Sequence, residues 1–261
     1  MPASQRLRSP AGKQQHQRRK TAGGQAAVRD VTICVALCYA AVLAARGGSF
    51  NIVLSILVLA DVAAGLTLWR IGGAHQSVRA RLMENLGYLV IFSGVILLTV
   101  SIMPSWVRQS GAWPWYLIAL AAGCGLIGIG GISPQALWSG ELALMAGKKP
   151  KINASVNIMN MIVGAAAEEV MFRSVTLQLA GIQLMIISVL ASATFLGRHH
   201  LARWAVRRAN PRTYVVEISG TFTFLILTVL SRSIFPALIA HLVNNTPSAV
   251  LEFQRAGQKG E

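Results

Sequence analysis

The chain has 261 residues, 54% of them hydrophobic and only 13% charged, against about a quarter charged in soluble domains. That balance excludes an ordinary soluble domain. The formal net charge of +15 would suggest nucleic acid in a soluble protein, but here the basic residues sit between apolar runs, so the charge reads as membrane topology and nucleic acid is not expected as a partner.

The apolar runs reach about 20 residues, enough to cross a hydrocarbon core as helix. They do not alternate over about 10 residues, as outer-membrane barrel strands do. The expected fold is all-α: a polytopic transmembrane helical bundle of about eight spans. Residues 1–30 are polar and basic, without apolar periodicity. They read as a disordered cytoplasmic tail that signals topology, with contact to anionic lipid as the alternative. A polar leader this long argues against a cleaved signal peptide.

The transmembrane domain then occupies 31–261, with spans at about 31–45, 50–69, 87–103, 115–133, 156–181, 183–199, 213–231 and 235–253. With the N-terminus inside, 20 Lys and Arg fall on the cytoplasmic side and 3 outside, counting Arg198 as cytoplasmic; Arg173 alone lies deep in a span. That asymmetry fits an even number of spans with both termini cytoplasmic, and a multi-pass protein of the plasma membrane. Cys34, Cys38 and Cys124 all fall within spans. They form no disulfide framework and read as small packing residues. Trp106, Trp113 and Trp115 cluster near the second outer loop as interfacial anchors. Gly123, Gly125, Gly128, Gly130 and Gly131 in the fourth span allow close helix approach.

Acids in spans need a reason, because one charge at a bilayer centre costs roughly 2.5–3.5 kcal/mol on insertion scales. Asp61 reads as a buried acid bonded to a neighbouring helix, with a proton path as the alternative. Glu217 reads as snorkelling or paired with Arg212, and Glu252 as solvated at the end of the last span. The stretch AAAEEVMFRS, Ala165–Ser174, is denser. It places Glu168, Glu169 and Arg173 within six residues. Residues four apart share a helix face, so Glu169 and Arg173 pair. Glu168, turned by about 100°, is left free to act as a general base. Two later stretches answer it. Phe195 and His199 are four apart, and so are His241 and Asn245. His241 and Asn245 present an imidazole and an amide on one side of one helix, donors suited to an oxyanion. Glu168 with His199 is suited to holding and deprotonating a water.

EEVMFR fits an EExxxR motif, Phe195–His199 fits FxxxH, and His241–Asn245 fits HxxxN. In this order they resemble the CAAX protease and bacteriocin-processing (CPBP, or Abi) family of intramembrane proteases, over a core of about 155–250. The resemblance implies that Glu168 and His199 activate water and that His241 and Asn245 stabilise the oxyanion. Glu169, Arg173 and Phe195 would be supporting. It implies a peptide or protein substrate at the lipid bilayer. The cofactor stays open: a zinc held by Glu168, His199 and His241, or none. There is no HExxH helix, and Glu, His and His come from separate spans. Ser174 stands where the family commonly has a glycine. His200 adjoins His199, which is chosen by spacing.

Depth is the difficulty. By residue count His199 falls near the inner surface and His241 in the outer half, so one site requires a tilted, broken or re-entrant helix, or shifted boundaries. Two other functions compete with an intramembrane endopeptidase. One is a non-proteolytic membrane scaffold or immunity factor of the same fold. The other is a coupled transporter using Asp61 and the Glu/His set. The inverted repeats of transporters are not visible, which ranks that reading last.

Overall fold

A computed structural model describes residues 10–74, 78–204 and 211–258, with side chains omitted at 10–26, 68–74, 80–81 and 200–204. Among the described residues the chain is helical throughout and has no strand. Its helices are α1 (Pro10–Ala45), α2 (Ser49–Ala74), α3 (Val78–Ile102), α4 (Pro114–Gly130), α5 (Pro134–Trp138), α6 (Glu141–Ala146), α7 (Lys151–Arg173), α8 (Gly181–Trp204), α9 (Pro211–Ser231) and α10 (Ile234–Gly257), with a 3₁₀ turn at Ser174–Gln178. α1 reaches back into the stretch read as a tail; residues 1–9 of that stretch lie outside the described residues.

Among the described residues six segments are long and apolar enough to cross a membrane: Ala27–Ala45, Ser49–Thr67, Leu82–Ile102, Gly181–His199, Pro211–Ser231 and Ile234–Gly257. α4 is apolar but shorter, and α7 is more polar, with Asn153, Asn157, Asn160, Glu168, Glu169 and Arg173 along it. The protein is a multi-pass membrane protein. Large apolar side chains such as Val90, Leu97, Ile186, Val189 and Leu230 stand exposed on the helix exteriors, as lipid-facing surfaces require.

The centre of the bundle is the last half of α7. Gly164, Ala165 and every residue from Ala167 to Arg173 are buried, so this stretch is enclosed on all sides. α3 and α10 pack along α7, α1 lies along α8, and α4 lies along α9 and α10. The main apolar core joins Tyr39, Leu54, Phe92, Met171, Phe172 and Phe195. The Tyr39 hydroxyl donates to the Met171 carbonyl over 2.8 Å, tying α1 to the end of α7. A second core, with Ala119, Leu126, Phe224 and Ala240, seats α10 against α4 and α9. α9 turns into α10 through only Arg232 and Ser233. Arg232 takes φ +52°, and the Ser233 hydroxyl caps α10 at the Phe235 amide, 3.2 Å away. At the other end of α10, Glu252 is buried rather than solvated. It binds Lys149 (2.6 Å) and Arg255 (3.2 Å) and so pins the helix to the start of α7.

Gly123 shows how close α4 and α10 come. A Cβ there would stand 2.7 Å from Val243 and 2.8 Å from the Ala240 carbonyl oxygen, whereas one at Gly125 would meet nothing within 4 Å. Gly123→Ala is therefore expected to destabilise the fold by about 1–3 kcal/mol. Gly125→Ala should be neutral or slightly stabilising, since alanine is the better helix former. Thermal unfolding of both variants in detergent checks the contrast.

Candidate active site

Three helices converge on the end of α7. Glu168 and Glu169 sit one turn before its C-terminus and point to different neighbours, as their 100° offset requires. Glu169 is fully buried and meets Arg173 through an ion pair of 3.7 Å. Its shorter contact is to α10: His241 Nδ1 lies 2.9 Å from Glu169 Oε1. A carboxylate only accepts, so Nδ1 carries the proton and donates. The His241 ring also stacks on Phe224, with centroids 4.7 Å apart. The Arg173 guanidinium lies 4.4 Å over the Phe195 ring.

Glu168 takes the position between the two histidines. Its Oε1 is 3.7 Å from His199 Nε2, and its Oε2 is 3.7 Å from His241 Nε2. His199 is oriented from its other side. Its Nδ1 donates to the Phe195 carbonyl over 3.0 Å, because a carbonyl can only accept. The ring therefore presents Nε2 to Glu168. Each imidazole is held by one nitrogen and offers the other to the same carboxylate.

The expected separation in depth between the two histidines is absent: the Nε2 atoms of His199 and His241 both lie 3.7 Å from the Glu168 carboxylate. α7 gives way to a 3₁₀ turn directly after Arg173. α8 continues past His199 to Trp204, so His199 is not at a helix end. The side chain of His200 lies outside the described residues.

Residues 151–247 match the family model described as Rce1-like, type II CAAX prenyl endopeptidase. The matched segment is similar to the CAAX protease (CPBP) family over 97 of the 261 residues. It begins with α7 and ends on α10 just beyond Asn245, so it contains all three motifs. No match was found among curated proteins or solved structures.

Asn245 stands one turn along α10 from His241, but its amide donates to the Met161 carbonyl over 3.3 Å. Among the described contacts none joins it to Glu168. Two residues that the motifs do not include complete the cluster. Arg198 donates from Nη1 to Glu168 Oε1, and its Nε is 2.8 Å from Asp61 Oδ2 on α2. Glu168 is thus not uncommitted, and Arg198 is not a cytoplasmic topology charge: its side chain is only 10% exposed. Asp61 does meet a neighbouring helix, through an ion pair with Arg198. Charge accounting was the signal available in the sequence. Three buried acids, Asp61, Glu168 and Glu169, face one deep cation if Arg173 stands alone.

The arrangement also bears on a metal. Among the described residues no group of three His, Cys, Asp or Glu side chains is disposed to hold one. The Arg198 guanidinium against Glu168 sets a positive charge beside the atom that a divalent ion would need. The set does not fit a zinc held by Glu168, His199 and His241.

Proposed function

We propose that the protein is an intramembrane endopeptidase that hydrolyses a peptide bond near or within the membrane, with Glu168, His199, His241 and Asn245 as its catalytic residues. One observation carries the proposal: within a CAAX-protease segment, the two oxygens of one buried carboxylate each face the Nε2 of a different, pre-oriented imidazole. Oε1 of Glu168 and a neutral His199 Nε2 are both acceptors, 3.7 Å apart. A water that donates one hydrogen to each is held with its lone pair facing outward. Glu168 removes a proton as the water oxygen bonds to the substrate carbonyl carbon. The carbonyl oxygen becomes negative and accepts hydrogen bonds from His241 Nε2 and the Asn245 amide. The C–N bond then breaks, and Glu168 returns its proton to the leaving amine.

The family description makes a CAAX-type C-terminal peptide the first substrate class to try. The test is cleavage by the purified protein in proteoliposomes, using a fluorogenic peptide with a prenylated CAAX end, its unprenylated twin and a mixed peptide library read by mass spectrometry. Glu168-dependent cleavage of any of these supports the proposal. No cleavage of all three, or cleavage that survives Glu168→Gln, defeats it.

The proposal includes eight crossings with both termini cytoplasmic, in the plasma membrane. The charge asymmetry supports this: moving Arg198 out of the inner count leaves 19 basic residues against 3. Reporter fusions placed after Arg108 and after Lys149 should report opposite sides.

A further inference from the structure

We infer that Arg198 is a positioning residue for Glu168 and that Asp61 on α2 holds Arg198 in place, so the part of the chain before the family-matched segment belongs to the working site. The inference rests on the proteolytic reading for its kinetic consequences, though the clamp itself does not depend on it.

Arg198 is gripped from three helices. Its Nε is 2.8 Å from Asp61, a residue with no exposed surface. Its Nη1 donates to Glu168 on α7. Its guanidinium carbon lies 5.1 Å from the Phe92 ring centroid and 6.0 Å from that of Tyr88, both on α3. A planar fork held at one edge by a carboxylate, and flanked by an aromatic ring, has little freedom left at its other corner. That corner is what Glu168 Oε1 meets. With Oε1 fixed, the rotation of the carboxylate is fixed, and Oε2 falls toward His241. Both oxygens then keep their 3.7 Å separations from the two imidazoles. Asp61, Tyr88 and Phe92 all lie outside residues 151–247. A general base must be held to within a fraction of an ångström, and a misplacement of about 1 Å costs roughly 10²-fold in rate.

The test uses the full chain in proteoliposomes, with whichever of the three peptide probes the wild type cleaves, and compares Arg198→Gln, Arg198→Lys and Asp61→Asn. Arg198→Gln should lower kcat by roughly 10²-fold with KM little changed, because the substrate is bound but the base is misplaced. Asp61→Asn should give a smaller loss with the same split. Arg198→Lys should recover only part of the rate, since one ammonium cannot span both carboxylates.

A second readout needs no substrate. Dicyclohexylcarbodiimide modifies carboxyl groups in apolar surroundings, and mass spectrometry locates the adduct. Glu168 should be protected in the wild type and labelled in Arg198→Gln and Asp61→Asn. Unchanged kcat in Arg198→Gln, a loss confined to KM, or unchanged Glu168 labelling in Asp61→Asn overturns the inference. A wild type that cleaves no probe defeats the proteolytic reading, and the labelling still decides the clamp. If Arg198→Gln does not fold, Asp61→Asn decides both readouts.

Discussion

Glu168→Gln is expected to slow peptide cleavage by about 10²–10⁴-fold, the contribution of one positioned general base. The change keeps the shape of the side chain and an acceptor oxygen for Arg198 Nη1. It removes the group that takes the proton from water. An ion-pair hydrogen bond becomes one from the guanidinium to a neutral amide oxygen, which costs about 1.5–3 kcal/mol at most. Asp61 still neutralises Arg198 at 2.8 Å, so the buried guanidinium is not left alone. The variant should therefore insert, stay monodisperse in detergent and unfold at a somewhat lower temperature. Each tenfold loss of rate is about 1.4 kcal/mol of barrier. If the rate loss is no larger than that implied by the shift in stability, Glu168 is structural. A loss of three or more decades in a folded protein assigns it to the chemistry.

His199 separates base from scaffold in the same assay. Its Nδ1 is tied to the Phe195 carbonyl within its own helix, and its Nε2 faces Glu168 on α7. Thermal unfolding of His199→Ala measured beside its rate separates loss of the chemistry from loss of that inter-helix contact.

How far the sequence carried these conclusions depends on which helix a contact stays within. Spacing of four residues is local geometry, and it placed Glu169 beside Arg173, Phe195 beside His199 and His241 beside Asn245. The first pair is present as an ion pair, and the second as a hydrogen bond from His199 Nδ1 to the Phe195 carbonyl. Glu169 turns its shorter contact to His241, at 2.9 Å, and holds Arg173 at 3.7 Å, because a helical wheel knows nothing of the neighbouring helix. Arg198 was misread for a similar reason. A basic residue near a span end is assigned to the surface by a rule that counts residues, whereas α8 continues to Trp204 and Arg198 is drawn inward to Asp61 and Glu168. Asp61 was legible as a buried acid in need of a partner, but its partner lies 137 positions away in sequence. Gly123 was legible as a close-approach residue, though only the packing on Val243 and Ala240 distinguishes it from Gly125. Glu252 shows the opposite error: a residue at a helix end is solvated only if nothing folds over it, and here Lys149 and Arg255 do.

His241→Ala is expected to lower kcat by about 10²–10³-fold, the usual loss for one oxyanion donor. kcat and kcat/KM should fall together, because the interaction forms only as charge develops on the carbonyl oxygen. The orientation of the ring is over-determined. Glu169 accepts from Nδ1 at 2.9 Å, and Phe224 stacks on one face at 4.7 Å between centroids. With Nδ1 committed as a donor, Nε2 carries a hydrogen only in the doubly protonated ring. A donor at Nε2 therefore requires the imidazolium, and the carboxylates of Glu168 and Glu169 on either side compensate that charge. Glu169→Gln keeps an acceptor for Nδ1 but removes one of the two compensating charges. It should reproduce part of the His241→Ala loss without removing the ring. If His241 were instead a structural partner of Glu169, both variants would lower the unfolding temperature and leave kcat unchanged in the protein that remains folded. Rate and thermal unfolding measured on the same preparations distinguish the two. Asn245→Ala provides the internal comparison: one amide hydrogen already goes to Met161 at 3.3 Å, so its loss should be the smaller of the two donors.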